Sequence, residues 1–228
     1  MRTKPPGSPA EPLDESATLV KPRLRGLSHE LAFGAALALG PLLIVVVEGV
    51  AARLVAAGYA TAIAALFGVS ALYHRPTWSP RARAVMRRLD HSTIYVAIAA
   101  TYTPIGAFVL PTASARLILG VVWGGAMAGI ALRFAWSSAP APVVALPYVA
   151  LGWAAVLVMG DVWASMPRPG AVLLMVGGGL YTLGALIYAL RRPDPWPRWF
   201  GYHEIFHVLV IGGAATHYVA VAYFALPR

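Results

Sequence analysis

The sequence predicts an all-α polytopic membrane protein, a bundle of seven transmembrane helices with its N-terminus inside. Three observations carry this reading. Only 12% of the 228 residues are charged and 59% are hydrophobic, where an ordinary soluble domain carries roughly 25% charged residues. Apolar runs of about 20 residues, the length a helix needs to cross a ~30 Å hydrocarbon layer, recur along the whole chain. The 18 Lys and Arg are divided unequally between the connections that separate those runs.

The first 26 residues form a tail. Pro5, Pro6, Pro9, Pro12 and Pro22 punctuate it and no apolar periodicity runs through it, so it reads as disordered and cytoplasmic. The transmembrane domain then occupies residues 27–228. Its apolar runs extend from Leu27 to Val50, Leu54 to Tyr73, Leu89 to Leu110, Arg116 to Phe134, Val143 to Trp163, Gly170 to Leu190 and Tyr202 to Leu226. Between them lie Arg75-Pro76, Pro111, Pro140-Ala141-Pro142, Pro167-Arg168-Pro169 and the stretch from Arg191 to Pro197. Proline lacks the amide proton that a helix interior requires and disfavours helix in the residue before it. The runs are too long, and too uniform in polarity, for the alternating strands of a barrel. Gly177-Gly178-Gly179 and Gly212-Gly213 predict close approach of helix backbones. The first run does not end in a small-residue cleavage site, so no signal peptide is expected.

Orientation follows from the basic residues. Fourteen of the 18 Lys and Arg fall in the tail and the even-numbered connections, and four (Arg53, Arg116, Arg168 and Arg228) on the other side. The positive-inside bias predicts a cytoplasmic N-terminus and an external C-terminus in the cell membrane. The formal charge of +9 is then a matter of topology and of anionic lipid headgroups at the arginine clusters. It does not point to nucleic acid.

With no cysteine, a metal site must draw on His, Asp or Glu. The six histidines are not scattered. His74 closes the second run, Asp90 and His91 open the third, and His203 and His207 open the seventh. All five belong to the cytoplasmic end. His203 and His207, four apart, share one helix face, as do Ser70 and His74. Three imidazoles from two helices suit one Zn²⁺ with an open fourth position. Such an ion brings the pKa of its water to about 7. Asp90 is placed to take that proton, and Ser70 to hydrogen-bond the water, the Asp or the substrate. His217 lies fourteen residues past His203, roughly 21 Å along a helix, and cannot share the ion. His29 and Glu30 reach the right depth but have no partner in the sequence. A competing motif overlaps the site: His203-Glu204-Ile205-Phe206-His207 reads as H-E-x-x-H, which would make Glu204 the base of an intramembrane metalloprotease.

The chain resembles the hemolysin III family, the bacterial branch of the progestin and adipoQ receptor family. The resemblance runs from Ser28 to Tyr223. It rests on Ser70-Ala-Leu-Tyr-His74, on Leu89-Asp90-His91-Ser92-Thr93-Ile94-Tyr95, on Thr101-Tyr102-Thr103-Pro104, and on His203-Glu204-Ile205-Phe206-His207 with His217-Tyr218. It departs at Ala100, where the family often has Gly. It implies seven helices with the N-terminus inside, a zinc held by His74, His203 and His207, and Ser70 and Asp90 beside the metal's water. It also connects the chain to alkaline ceramidases, which hydrolyse lipid amides. Two function classes follow: a zinc-dependent hydrolase of lipid-like amides, or a channel or pore-forming protein, or a receptor, in which zinc is structural. No ring of charges and no repeated filter element marks a pore in the sequence.

Overall fold

The computed structural model describes residues 22–136 and 141–228, with side chains throughout except at 141–145. Helices account for the described architecture: α1 (Leu27–Val46), α2 (Val50–His74), α3 (Pro80–Phe108), α4 (Thr112–Ala135), α5 (Ala141–Gly152), α6 (Met159–Ser165), α7 (Arg168–Leu190) and α8 (Tyr202–Ala220). A 3₁₀ turn, Trp153–Val158, joins α5 to α6, and a π turn, Val221–Ala225, extends α8. Six of these stretches are long and apolar enough to cross a membrane: α1, α2, α4, the composite Leu146–Ser165, α7 and Tyr202–Ala225. α3 has 29 residues, about 43 Å of helix, with its first turns rich in arginine.

Sequence neighbours pack side by side from α1 to α4, α7 pairs with α8, and α8 closes back on α1. One apolar cluster joins α1, α2 and α8 through Leu43, Tyr59, Phe67, Val210 and Ala214. A second joins α3, α4 and the fifth stretch through Tyr95, Ile118, Val122, Leu151 and Val158. The outward side chains are apolar too: Leu31, Val45, Val50 and Met127 are each more than two-thirds exposed, which suits lipid and would be costly in water.

α3 begins well before the apolar run that announces it. Asp90 and His91 were expected to open the third helix; instead they lie three turns inside it. Ser79 accepts the Ala82 N–H at 3.4 Å and Pro80 takes the first helical position, a combination that starts helices. The stretch that follows, Pro80 to Leu89, carries four arginines and no breaker, so propensity extends the helix beyond the apolar segment.

The fifth run is broken where the sequence suggested one helix. Backbone groups freed by such a break need partners at membrane depth, and Tyr102 supplies two. Its hydroxyl donates to the Gly152 carbonyl at 2.6 Å and accepts the Ala155 N–H at 2.8 Å. The Thr101-Tyr102-Thr103-Pro104 motif thus pins α3 to the interrupted helix.

The glycine reading is met in part. The His217 ring packs against Gly177 and the Tyr181 ring against Gly213, leaving no room for a Cβ, whereas Gly178 and Gly179 face open space.

Residues 1–21 of the tail lie outside the described residues. Residues 22–26 form a turn laid on the connection between α7 and α8. The N–H groups of Arg23 and Leu24 donate to the Arg198 and Trp199 carbonyls at 3.0 and 3.2 Å, and the Arg23 guanidinium covers the Trp199 ring. Gly26, at φ 83°, turns the chain into α1 in a left-handed conformation where a side chain would also strike the His74 Cβ.

Candidate metal centre

The α1–α2–α8 core places the last turn of α2 beside the first turns of α8. His74, His203 and His207 converge there, with one ligand atom of each lying within 4.8 Å of the others. The ring centroids are 4.8 Å apart for His74 and His203, 5.1 Å for His74 and His207, and 4.6 Å for His203 and His207. The Nε2 atoms of His74 and His203 are 3.3 Å apart. Tetrahedral Zn–N bonds of about 2.0–2.1 Å put neighbouring nitrogens about 3.3–3.4 Å from each other, so this separation already has the length of a tetrahedron edge. His207 is buried, and its Nδ1 has no hydrogen-bond partner. Three imidazoles without a carboxylate among them fit a borderline metal such as Zn²⁺ better than a hard cation.

His29, which had no partner in the sequence, joins this group through space. Its ring stacks on His207 with centroids 3.8 Å apart and planes 7° from parallel, and Phe67 meets it edge-on at 5.2 Å. It is 3% exposed and neither ring nitrogen has a hydrogen-bond partner. His207 is therefore oriented by a stacked ring where a metal-ligating histidine more often has a hydrogen bond. Position alone could have nominated His29, since it sits one turn into the first helix at the depth of the others. Its partner lies 178 residues away in sequence, which no spacing rule reaches.

Ser70 and Asp90 are brought together, the Ser70 hydroxyl facing the Asp90 carboxylate. His91 turns away, its Nδ1 at 2.6 Å from the Arg87 carbonyl of its own helix. Tyr188 of α7 was missed. Its ring packs 5.4 Å from His203 and 5.2 Å from Phe206, walling the site on the α7 side.

Glu204, inside the H-E-x-x-H pattern, is committed elsewhere. One carboxylate oxygen is ion-paired with the Arg25 Nε, and the other accepts the Gly201 N–H at 2.8 Å. That second bond is half of a capping box at the start of α8. With Glu204 2% exposed, the carboxylate ties the tail turn to the α8 N-terminus. His217, as its spacing required, is remote; its Nε2 lies 3.0 Å from the Leu174 carbonyl.

The profile of a family described as Haemolysin-III related matches residues 17–218. Hemolysin-3 of Bacillus cereus is 29% identical over 199 residues, covering 85% of this chain and 88% of its own. The Hemolysin-3 homolog of Bacillus subtilis (strain 168) is 29% identical over 161 residues, 71% of this chain and 72% of its own. An adiponectin receptor protein of Drosophila melanogaster is 40% identical over a shorter stretch of 76 residues, 31% of this chain and 17% of its own.

Proposed function

Since the chain belongs to the Haemolysin-III related family and is a multi-pass membrane protein, we propose that it is a zinc-dependent hydrolase of lipid-like amides, with its site at the cytoplasmic end of seven spans. The observation that carries this is the convergence of His74, His203 and His207 on the end of the bundle that also holds the Ser70–Asp90 pair. Three neutral imidazoles would hold the ion, and the ion would supply Lewis acidity, bringing the pKa of a water to about 7. Asp90 takes the proton as the water oxygen bonds to the acyl carbon. It returns that proton to the amine nitrogen as the C–N bond breaks. Ser70, whose hydroxyl faces Asp90, orients the carboxylate toward the reacting water. The amide arrives from the bilayer, which suits a site built within transmembrane helices.

α3 is the seventh span in this reading. Its apolar part from Leu89 onward is about 20 residues, enough for the hydrocarbon layer, and an odd count puts the termini on opposite sides. Reporter fusions are expected to find the N-terminus cytoplasmic and the C-terminus external; a C-terminal reporter active only in the cytoplasm would remove the seven-span arrangement.

The hydrolase reading is tested by assaying purified protein on long-chain acyl amides. Release of free amine is expected, abolished by a chelator and restored by added Zn²⁺. A zinc-loaded protein inert on amides and esters alike would favour the second reading, a pore-forming or receptor protein with structural zinc, to which the relatives' hemolysin names lend support. The metalloprotease reading is weakened by the engagement of both Glu204 carboxylate oxygens.

A further inference from the structure

A second cluster lies at the same end of the bundle, between α3, α4 and α5, and the mechanism above does not use it. Arg133, in the last turn of α4, is only 4% exposed. Its Nε has no hydrogen-bond partner, and no carboxylate among the described residues lies within ion-pair distance. Its electrostatic neighbours are His91, Tyr95 and Tyr148; the nearest carboxylate, Asp90, adjoins His91 and Tyr148 but is not ion-paired with Arg133. Arg88, on the α3 face that also carries Ser92 and Tyr95, likewise has a buried Nε without a partner. A cation removed from water without a counter-charge is strongly unfavourable, so the buried Arg133 calls for an anion.

An apolar groove of about 430 Å³ lies beside Arg133, with its neighbour Leu132 in the lining. Val121, Gly125 and Gly129 on α4 line one wall, Pro147, Leu151 and Ala154 the other, and Tyr95 forms the floor. Val121, Gly125, Gly129 and Arg133 follow one another at four-residue intervals, so Arg133 continues the lining stripe at the groove's end. Its depth is suggestive of the ligand. The 24 residues of α4 span about 36 Å against a ~30 Å hydrocarbon layer, which sets the last turn at the level of the headgroup phosphates. The groove walls are apolar along the part that lies among acyl chains.

We propose that this groove is a binding site for an anionic phospholipid, one acyl chain lying between α4 and α5 and the phosphate held by Arg133. Guanidinium and phosphate form short, paired, charge-assisted hydrogen bonds, and the phosphodiester keeps its charge at any physiological pH. The site is separate from the histidine cluster, and it does not depend on the hydrolase reading.

Native mass spectrometry of the delipidated full-length protein, given equimolar phosphatidylglycerol and phosphatidylcholine, tests it. One phosphatidylglycerol should be retained in preference to phosphatidylcholine by about tenfold or more, because both present the phosphodiester but the choline ammonium offsets its charge and leaves the buried guanidinium without a net counter-charge. Arg133→Gln should remove that preference, while Arg168→Gln, at the opposite end of the bundle, should leave it intact. Ala128→Trp fills the groove without touching the arginine and should lower retention as well, which keeps the test decisive if Arg133→Gln fails to fold. Equal retention of the two lipids, or a preference that survives both Arg133→Gln and Ala128→Trp, would overturn the proposal. Retention of oleate in place of phosphatidylglycerol would overturn it too, by making the occupant a free fatty acid.

Discussion

Alanine at His203 is expected to leave the protein essentially without zinc, where the wild type is expected to carry one ion per chain. The three imidazoles form a minimal set, and an ion left with two protein ligands loses the closed side of its coordination sphere. Changes to groups that merely support a ligand commonly cost about 10–100-fold in metal affinity, so loss of a ligand itself should exceed about 100-fold. His74→Ala and His207→Ala should behave alike. Metal analysis after dialysis against a weak chelator reads this directly, and Co²⁺ substitution adds a spectrum sensitive to geometry. Full zinc in His203→Ala would show the ligand set to be wrong. His29 provides a graded control. His29→Ala removes the ring stacked on His207 and should weaken binding by about tenfold, whereas His29→Phe preserves a flat partner and should restore most of it. Equal loss in both variants would mean that His29 contributes a nitrogen and not a surface.

Much of this arrangement was legible before the fold was known, for definable reasons. Membrane helices announce themselves by composition over about 20 residues, and prolines mark their ends, so α2 stops at His74 and α8 starts at Tyr202 close to where the apolar runs do. The i, i+4 pairing of His203 with His207, and of Ser70 with His74, is a property of one helix and needs no tertiary knowledge. What escaped falls into two classes. The early start of α3 at Pro80 is invisible to hydropathy, because an arginine-rich helix outside the bilayer looks like a loop on that scale, although Ser79-Pro80 signals a helix start. Contacts between distant segments carry no sequence signal at all. His29 against His207, Tyr188 against His203, and Arg25 against Glu204 come from the closing of α1 and α7 on α8. The last of these matters most, because it changes what Glu204 is for.

Asp90→Ala is expected to lower the turnover of any amide the protein hydrolyses by about 10² or more, the usual size of a general-base effect, with zinc content unchanged. Glu204→Gln is expected to keep zinc and most of the turnover and to lose thermal stability. The two carboxylates differ in what surrounds them. Asp90 is 14% exposed in its side chain and faces the Ser70 hydroxyl, which lies four residues before His74 on the same helix face. Helix-dipole support for its charge, which a position at the start of α3 would have provided, does not apply: Asp90 lies about three turns inside the helix, beyond the first turn where that field acts. The Ser70 hydroxyl is the polar side chain that faces this carboxylate, so Ser70→Ala should lower turnover as well, by less than Asp90→Ala. Glu204 faces away from such work. Its oxygens are taken by Arg25 and by the Gly201 N–H. Glutamine can still accept the Gly201 bond, but it leaves a guanidinium that is 20% exposed without its counter-charge, a loss that falls on the docking of the tail turn and the start of α8. Thermal melting in detergent, metal content and turnover, measured on the same preparations, separate the two roles. Hydrolysis abolished in Glu204→Gln at full zinc and unchanged melting temperature would reverse the assignment and return the H-E-x-x-H reading to first place.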